Sequence, residues 1–538
     1  MENRVDIVDT IDKAPGGAAV ALQKIRAVAK RPSTNFMLYL CLIVGPFLTM
    51  IDASVVNVAL PDIASTYNSA LTDVQWVLSG YLLALAAVMV ATAFMSKRFG
   101  ASKVYLVSLI GFTLASAACA FAPSLELLVL GRVLQGAFGA PLVPVAMDLL
   151  MGGHASGERK VPVAFGIVVF LAPAIGPTVG GLLINYIGWP SIFLINVPVG
   201  TLTALYLLRN NVIKSADVID KGIRFDLIGT LALSAGLVLT LYGSTRGASD
   251  GWLSAAALPF LVSGAGLIVF YLLWASRVSR PAVDLKLLRN AGTALTLLIC
   301  VVAAIVMFGV LFLVPVIMQS VQGYSAMDTG LALLPQGIVT GIGVGVGDFV
   351  YRRKLLSIRT IVMIGMLLLA ISTVALLAFD MSTPIWVGAG ILCFRAFAMS
   401  LTIQPLLFEM ISTLTPLEMS DGNTLFNVVQ RLSGSVGISA LATVFQIQAA
   451  GYVAIALSGY PVNAGTMHLG QGAAALSSLP AAVRDTMGMA VIHGFHDTVW
   501  ILVGLSLAGM VMAFFLKDNR SKEATGSRLP GHPNPGSQ

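Results

Sequence analysis

Arg132 lies seven residues into an otherwise apolar run, Leu125–Leu150. A helix of that length reaches about 39 Å, enough to cross a bilayer, and sets the guanidinium roughly 10 Å below the nearer surface. A charge at that depth costs from ~2.5 to more than 10 kcal/mol unless it faces a partner or a wet cavity. Its place leaves two readings: glue between helices, or a charged element of a transport pathway. Gly131, Gly136 and Gly139 surround it with bare backbone that another helix or a substrate can approach. Gln135 adds an amide one turn on, and Pro141 and Pro144 break the backbone ladder toward the far end. A second ionisable group, Asp52, interrupts the apolar stretch near 36–58, and a carboxyl is the side chain able to bind and release a proton there. It reads either as a proton carrier or as the permanent partner of an arginine.

These residues are positioned by long apolar helices. Hydrophobic residues make up 57% of the 538 and charged residues only 11%. With a mean hydropathy of +0.88, only a polytopic helical membrane protein accommodates the chain. Apolar windows predict spans near 36–58, 75–95, 104–122, 125–150, 162–184, 191–208, 226–243, 254–275, 293–318, 329–349, 358–379, 384–407, 423–447 and 497–516, about fourteen in all. Ala18–Lys30 has the pattern of an interfacial helix or a basic arm. An outer loop is expected over 448–496, and the tail after Lys517 reads as disordered.

The basic residues test this topology. With the N-terminus inside, 27 of the 32 Lys and Arg fall in cytoplasmic segments. Only Arg246 and Arg484 lie outside, and Arg132, Arg395 and Arg431 are embedded. Both termini are therefore expected in the cytoplasm, and the net charge of +7 is a topology signal, with no nucleic-acid partner implied. Cys41, Cys119, Cys300 and Cys393 all sit in apolar runs and read as packing residues. The N-terminal stretch to Thr34 is polar, without an apolar core or a small-residue cleavage site, so no cleaved signal is expected and the first span is expected to act as its own insertion signal.

Four motifs resemble one family. Ile51–Pro61 (IDASVVNVALP), the Arg132 segment with Gln135, Gly136 and Gly139, Leu171–Leu183 (LAPAIGPTVGGLL) and Trp189–Gly200 (WPSIFLINVPVG) are similar to the major facilitator superfamily, in particular its fourteen-span multidrug:proton antiporters of the EmrB/QacA type. The resemblance implies an all-α integral membrane fold of two six-helix bundles plus two inserted helices. Its domains here would be an N-terminal arm over 1–34, a first bundle over 35–208, a linker with two spans over 209–290, a second bundle over 291–516 and a tail over 517–538. It implies that Asp52 and Arg132 couple to protons and that Gly176, Pro177, Gly180 and Gly181 form the antiporter motif. It also implies a small-molecule substrate, no cofactor beyond the proton gradient, and residence in the cytoplasmic (inner) membrane. In a host with an outer membrane, it implies a periplasmic adaptor and an outer-membrane channel as partners.

One loop departs from the pattern. Ala93–Lys103 (AFMSKRFGASK) has Lys97, followed by Arg98 and Gly100, where the superfamily's gating loop carries an acid. The second half echoes the first: Arg395 in CFRAFAMSLTIQP stands where Arg132 stands, if the seventh and eighth spans are an insert. Asn427, Gln430 and Arg431 fall along about one turn of the thirteenth span, a polar stripe expected to face the interior. Gln135, Gly139, Arg395, Asn427, Gln430 and Arg431 are the candidate cavity residues. Gly341–Gly347 lacks dinucleotide-loop spacing and reads as a thin helix face. His493 and His496 have helical spacing but no partner ligand in sequence, and no metal site is assigned.

The function expected is proton-coupled efflux of hydrophobic drugs or toxic compounds by alternating access. The alternative is a dedicated exporter of one endogenous metabolite or siderophore. An embedded transferase or hydrolase is disfavoured, because no nucleophile cluster converges. With three embedded arginines against Asp52, the pathway is expected to be net positive and to disfavour dications.

Overall fold

A computed structural model describes residues 36–516 except 70, 153–162, 211–224, 279–280, 284–286, 289, 413, 415–418 and 457–480. The arm with Ala18–Lys30, most of the 209–224 linker and the tail therefore lie outside the described residues. Every regular element among them is a helix. Twelve helices are long and apolar enough to cross a membrane, thirteen if α2 (Leu71–Met89) and α3 (Thr92–Phe99), bent by 53°, are one span. The fifth expected span falls on α7 (Val163–Ile187), of which Thr178–Ile187 qualifies only as a shorter apolar helix, so fourteen is an approximate count.

Local chemistry sets several helix starts. Ser124 accepts from the Leu127 amide ahead of α5 (Leu125–Gly139), Asp226 from Gly229 ahead of α10 (Leu227–Asp250), and Ser357 from Thr360 ahead of α14 (Ile358–Val374). Pro141 separates α5 from α6 (Leu142–Gly152), as expected of a residue without an amide donor. Gly100, at φ 91°, turns the chain between α3 and α4 (Ala101–Ala120) in a conformation that side chains rarely adopt.

The chain divides into two compact units. The first comprises Met1–Leu285, Ala326–Gly337 and Leu414–Val428, the second Lys286–Ser325, Ile338–Thr413 and Val429–Gln538. In the first, α1 (Phe36–Tyr67) packs along α7, α2 and α4 against α5, and α9 (Asn196–Arg209) against α4 and α1. The two extra spans, α10 and α11 (Leu258–Ala275), belong to this unit. α10 docks on α2 through Ser234 Oγ, which donates to the Ala87 carbonyl at 2.6 Å. Asp226 ties the pair together, accepting from Trp274 Nε1 at 3.0 Å and the Ala282 amide at 3.1 Å. In the second unit, α14 packs against α15 (Ile385–Ser412) and α17 (Ala481–Phe514), and α12 (Ala291–Ser320) against the same two helices.

The helices that flank the expected loop over 448–496 both reach into it. α16 (Met419–Ala456) continues past 448, and α17 begins at Ala481 rather than near 497. Helix packing carries both beyond their apolar stretches. A Cβ on Gly494 would lie 2.6 Å from the Ala449 amide nitrogen, and Tyr452 donates to Asp497 Oδ2 at 2.9 Å. Hydropathy windows register lipid-facing length, not such interhelical contact. The glycine run behaves as read: in α13 (Ala326–Arg352), Gly343 and Gly347 face α15, where a Cβ on Gly343 would strike Ser400 Oγ.

Candidate functional site

Asp52 stands near the middle of the 32-residue α1, and Arg132 two turns into α5, both without solvent exposure. Their side chains meet. Arg132 Nη1 donates to Asp52 Oδ2 at 2.5 Å and to Gln135 Oε1 at 2.7 Å, while Nε donates to the Val77 carbonyl of α2 at 2.9 Å. The guanidinium carbon lies 4.1 Å from the Tyr81 ring centroid and 5.6 Å from that of Phe193. Those faces stabilise a cation that has left water. Asp52 Oδ1 accepts from Gln135 Nε2 at 3.0 Å and Asn196 Nδ2 at 3.1 Å. Ser116 Oγ of α4 accepts from the same two amides, at 2.8 and 2.9 Å. Charge, counter-charge and amides thus form one buried network across α1, α2, α4, α5 and α9. Removing one charge of such a pair strands the other, at about 3–5 kcal/mol.

Bare backbone lets these helices come close enough. A Cβ at Gly136 would lie 2.3 Å from the Tyr81 carbonyl, and one at Gly131 2.8 Å from Cys119 Sγ. Gly176 and Gly180 of α7 abut Ser54 and Val55 in the turn that follows Asp52. Gly181, in the same motif, has nothing within 4 Å of a built Cβ. Gly139, read as a cavity residue, packs between Phe112 and Thr49, each 3.3 Å from its built Cβ. Gln135 belongs to the Asp52 network.

The second unit holds a buried arginine without an acid beside it among the described residues. Arg395 of α15 is 5% exposed and donates to Thr373 Oγ1 at 2.9 Å and to the Val306 carbonyl. Val306 precedes Pro315 by nine residues, as Asp52 precedes Pro61. Where the first unit offers a carboxylate, the second offers a peptide oxygen, and no carboxylate contacts Arg395 among the described residues. Asn427 turns back to Asn423 of its own helix, donating to its carbonyl at 2.9 Å, while Gln430 and Arg431 are half-buried and fall in the other unit. His496 instead pairs a ring nitrogen with the Phe379 carbonyl at 2.9 Å.

The departure at Lys97 has a partner. Lys97 Nζ forms an ion pair with Asp421 Oδ2, both side chains largely buried, in the first turns of α16. Beside it, Asn423 Nδ2 donates to the Pro144 carbonyl at 3.0 Å and to Asp148 Oδ1 at 2.9 Å. The lysine thus meets an acid here. Reversing one member, Lys97→Asp, is expected to lower transport roughly tenfold, the equivalent of about 1.4 kcal/mol, by setting two acids face to face. The double exchange Lys97→Asp with Asp421→Lys restores it. Transport assays of the single and double variants check this, and failure of the double exchange to recover would mean that the pair is not what matters.

Asn196, Ser116 and Tyr81 escaped the sequence reading. Asn196 was visible as an amide inside the motif INVPVG. The serine and tyrosine carried no signal that separates them from packing residues.

A family model described as Major Facilitator Superfamily matches residues 42–438. The chain belongs to the major facilitator superfamily. This facilitator is 29% identical to the multidrug export protein EmrB of Escherichia coli over 76% of its own length and 79% of the relative's. It is 30% identical to the tetracenomycin C resistance and export protein of Streptomyces glaucescens, over 75% and 74%. Among solved structures, it matches a bacterial homologue of the human lysosomal transporter Spinster at TM-score 0.53 and 17% identity, covering 91% of this chain and 99% of that one. The last likeness concerns the fold alone. This facilitator is a transporter rather than an enzyme.

Proposed function

We infer that the chain is a proton-coupled exporter of hydrophobic compounds, acting by alternating access in the cytoplasmic membrane with both termini inside. One observation carries this reading: a buried aspartate in mid-helix whose oxygens are all held by donors from other helices, with an arginine as counter-charge. An acid that only glued helices would be costly when an apolar pair of similar volume serves as well. A carboxyl group that exchanges its ion pair for a proton supplies a two-state element that a pH gradient can bias. The names of the relatives, two of them export proteins, support drug-like substrates.

Purified protein in proteoliposomes tests the reading. An imposed pH gradient should drive uptake of a lipophilic dye, and an ionophore that collapses it should stop that uptake. Uptake indifferent to the gradient would remove proton coupling from the proposal.

The charge balance bears on the substrate. Asp52 offsets Arg132, whereas Arg395 meets only neutral oxygens among the described residues. Excess buried positive charge disfavours dications, which need embedded carboxylates to replace their hydration. Expression in an efflux-deficient host should therefore protect against neutral lipophiles and lipophilic weak acids more than against divalent quaternary ammonium compounds. The reverse ranking would refute the charge balance.

A further inference from the structure

Three donors point at Asp52, and no acceptor does. Arg132 Nη1 bonds Oδ2, and Gln135 Nε2 and Asn196 Nδ2 bond Oδ1. That ring suits a carboxylate. A protonated Asp52 carries an O–H that must find an acceptor in a site sealed from water. The neighbouring acceptors are occupied. Gln135 Oε1 takes the arginine's Nη1 at 2.7 Å, and Ser116 Oγ takes two amide donors and itself donates to the Phe193 carbonyl at 3.2 Å. One acceptor is left over: Asn196 Oδ1, buried and without a partner. Asn196 has no solvent exposure.

We propose that Asn196 is a positioning residue whose side-chain amide turns over when Asp52 takes up a proton, donating to the carboxylate in one state and accepting from the acid in the other. The proposal rests on the proton-coupling reading above. A half-turn about the terminal amide bond exchanges oxygen and nitrogen in place. Oδ1 then stands where Nδ2 stood, within reach of Asp52 Oδ1 at 3.1 Å and Ser116 Oγ at 2.9 Å. The incoming proton stays on Asp52 Oδ1, whose O–H donates to Asn196 Oδ1; no other covalent bond forms or breaks, and the two hydrogen bonds from Asn196 Nδ2 are given up. The serine hydroxyl can swing from the Phe193 carbonyl to the same oxygen. Each state leaves one amide group of Asn196 unpartnered, the oxygen before and the nitrogen after. The penalties are alike, so neither state is locked by this residue. The other ionisable groups facing the site are Arg132 from α5, Tyr81 from α2 and Cys119 from α4. Tyr81 donates to the Thr49 carbonyl at 3.1 Å, and Cys119 Sγ lies 3.7 Å from Gln135 Oε1, so neither offers Asp52 a vacant acceptor. Because Asn196 opens α9 just beyond Phe193, the turn of one amide is felt where α9 meets α1 and α4.

Infrared difference spectroscopy of the full chain in lipid, with asparagine side-chain carbonyls isotopically labelled, tests this directly. A step in pH that protonates Asp52 should change its carboxyl band and, together with it, shift one asparagine carbonyl band. That second band should vanish in Asn196→Leu and in Asp52→Asn. Asn196→Leu should also lower pH-driven kcat about tenfold with KM little changed, the loss of one hydrogen bond to a charged group. Should Asn196→Leu not fold, the isosteric Asn196→Asp serves. It keeps an acceptor in either orientation, and a second acid beside Asp52 should move the pH optimum of transport to the alkaline side by about one unit or more. A titrating Asp52 with no asparagine band, a band that survives Asn196→Leu, or an unmoved optimum in Asn196→Asp overturns the proposal. A carboxyl band that never titrates, together with pH-driven transport retained in Asp52→Asn, overturns the proton-coupling reading itself.

Discussion

Asp52→Asn is expected to abolish pH-driven transport while the protein still folds and inserts. The amide keeps the size of the carboxyl and one oxygen for Arg132 Nη1, but it neither takes up nor releases a proton. It also presents nitrogen to Gln135 Nε2 and Asn196 Nδ2, two donors that now lie 3.0 and 3.1 Å from Asp52 Oδ1. Turning the Asn196 amide, whose oxygen is unpartnered, offers that nitrogen an acceptor without moving helices, while Gln135 keeps its oxygen on Arg132. Arg132 keeps the Val77 carbonyl and the Tyr81 face, so the guanidinium is not stranded altogether. Leucine at 52 removes every acceptor at once and should cost stability as well, by about 3–5 kcal/mol. Proteoliposome flux with and without a pH gradient, beside a thermal melt of each variant, separates the two outcomes. Wild-type gradient-driven flux in Asp52→Asn would sink the assignment of Asp52 as proton carrier.

A second large effect belongs to Gly176. Its built Cβ lies 1.8 Å from Ser54 Oγ, 2.9 Å from Ser54 Cβ and 3.1 Å from the Val55 amide nitrogen. Rotation of the serine hydroxyl relieves the first contact but neither of the other two, so Gly176→Ala should fold with part of its activity lost. Gly176→Leu has no such escape. It forces α7 off α1 two residues beyond Asp52, and overpacking of this kind costs about 1–3 kcal/mol and sometimes more. The expected result is a protein with a lower melting temperature and transport reduced to background. Gly181→Leu, in the same motif but with open space around its Cβ, should remain near wild type. If Gly176→Leu and Gly181→Leu behave alike, close approach of α7 to α1 is not what the motif provides.

The sequence carried the membrane class, the helix positions to within a few residues in most spans, and the two ionisable groups at the centre of the buried network. Those signals are one-dimensional. A bilayer demands about twenty apolar residues per crossing, and a charge inside such a run stands out whatever surrounds it. Proline and glycine likewise announce breaks and close approaches by their own covalent geometry. The Gly343–Gly347 face and the Pro141 break followed from that alone.

Partnership was decided by the tertiary structure. Asp52 and Arg132 are 80 residues apart, and nothing in either segment says that they touch. Lys97 in sequence is a departure from the family's loop pattern, and the acid that pairs with it, Asp421, lies 324 residues on. Asn196 and Ser116 are ordinary polar residues in sequence and acquire meaning only where α9 and α4 converge on α1. Arg395 shows the other side of this: the same residue type in the repeated place meets a peptide carbonyl at Val306, because its scaffold lacks the aspartate. Composition and spacing record what each residue costs to bury. Only the packing of helices distant in sequence determines which groups share that cost, since hydrogen bonds and ion pairs act over about 3 Å in space irrespective of separation along the chain.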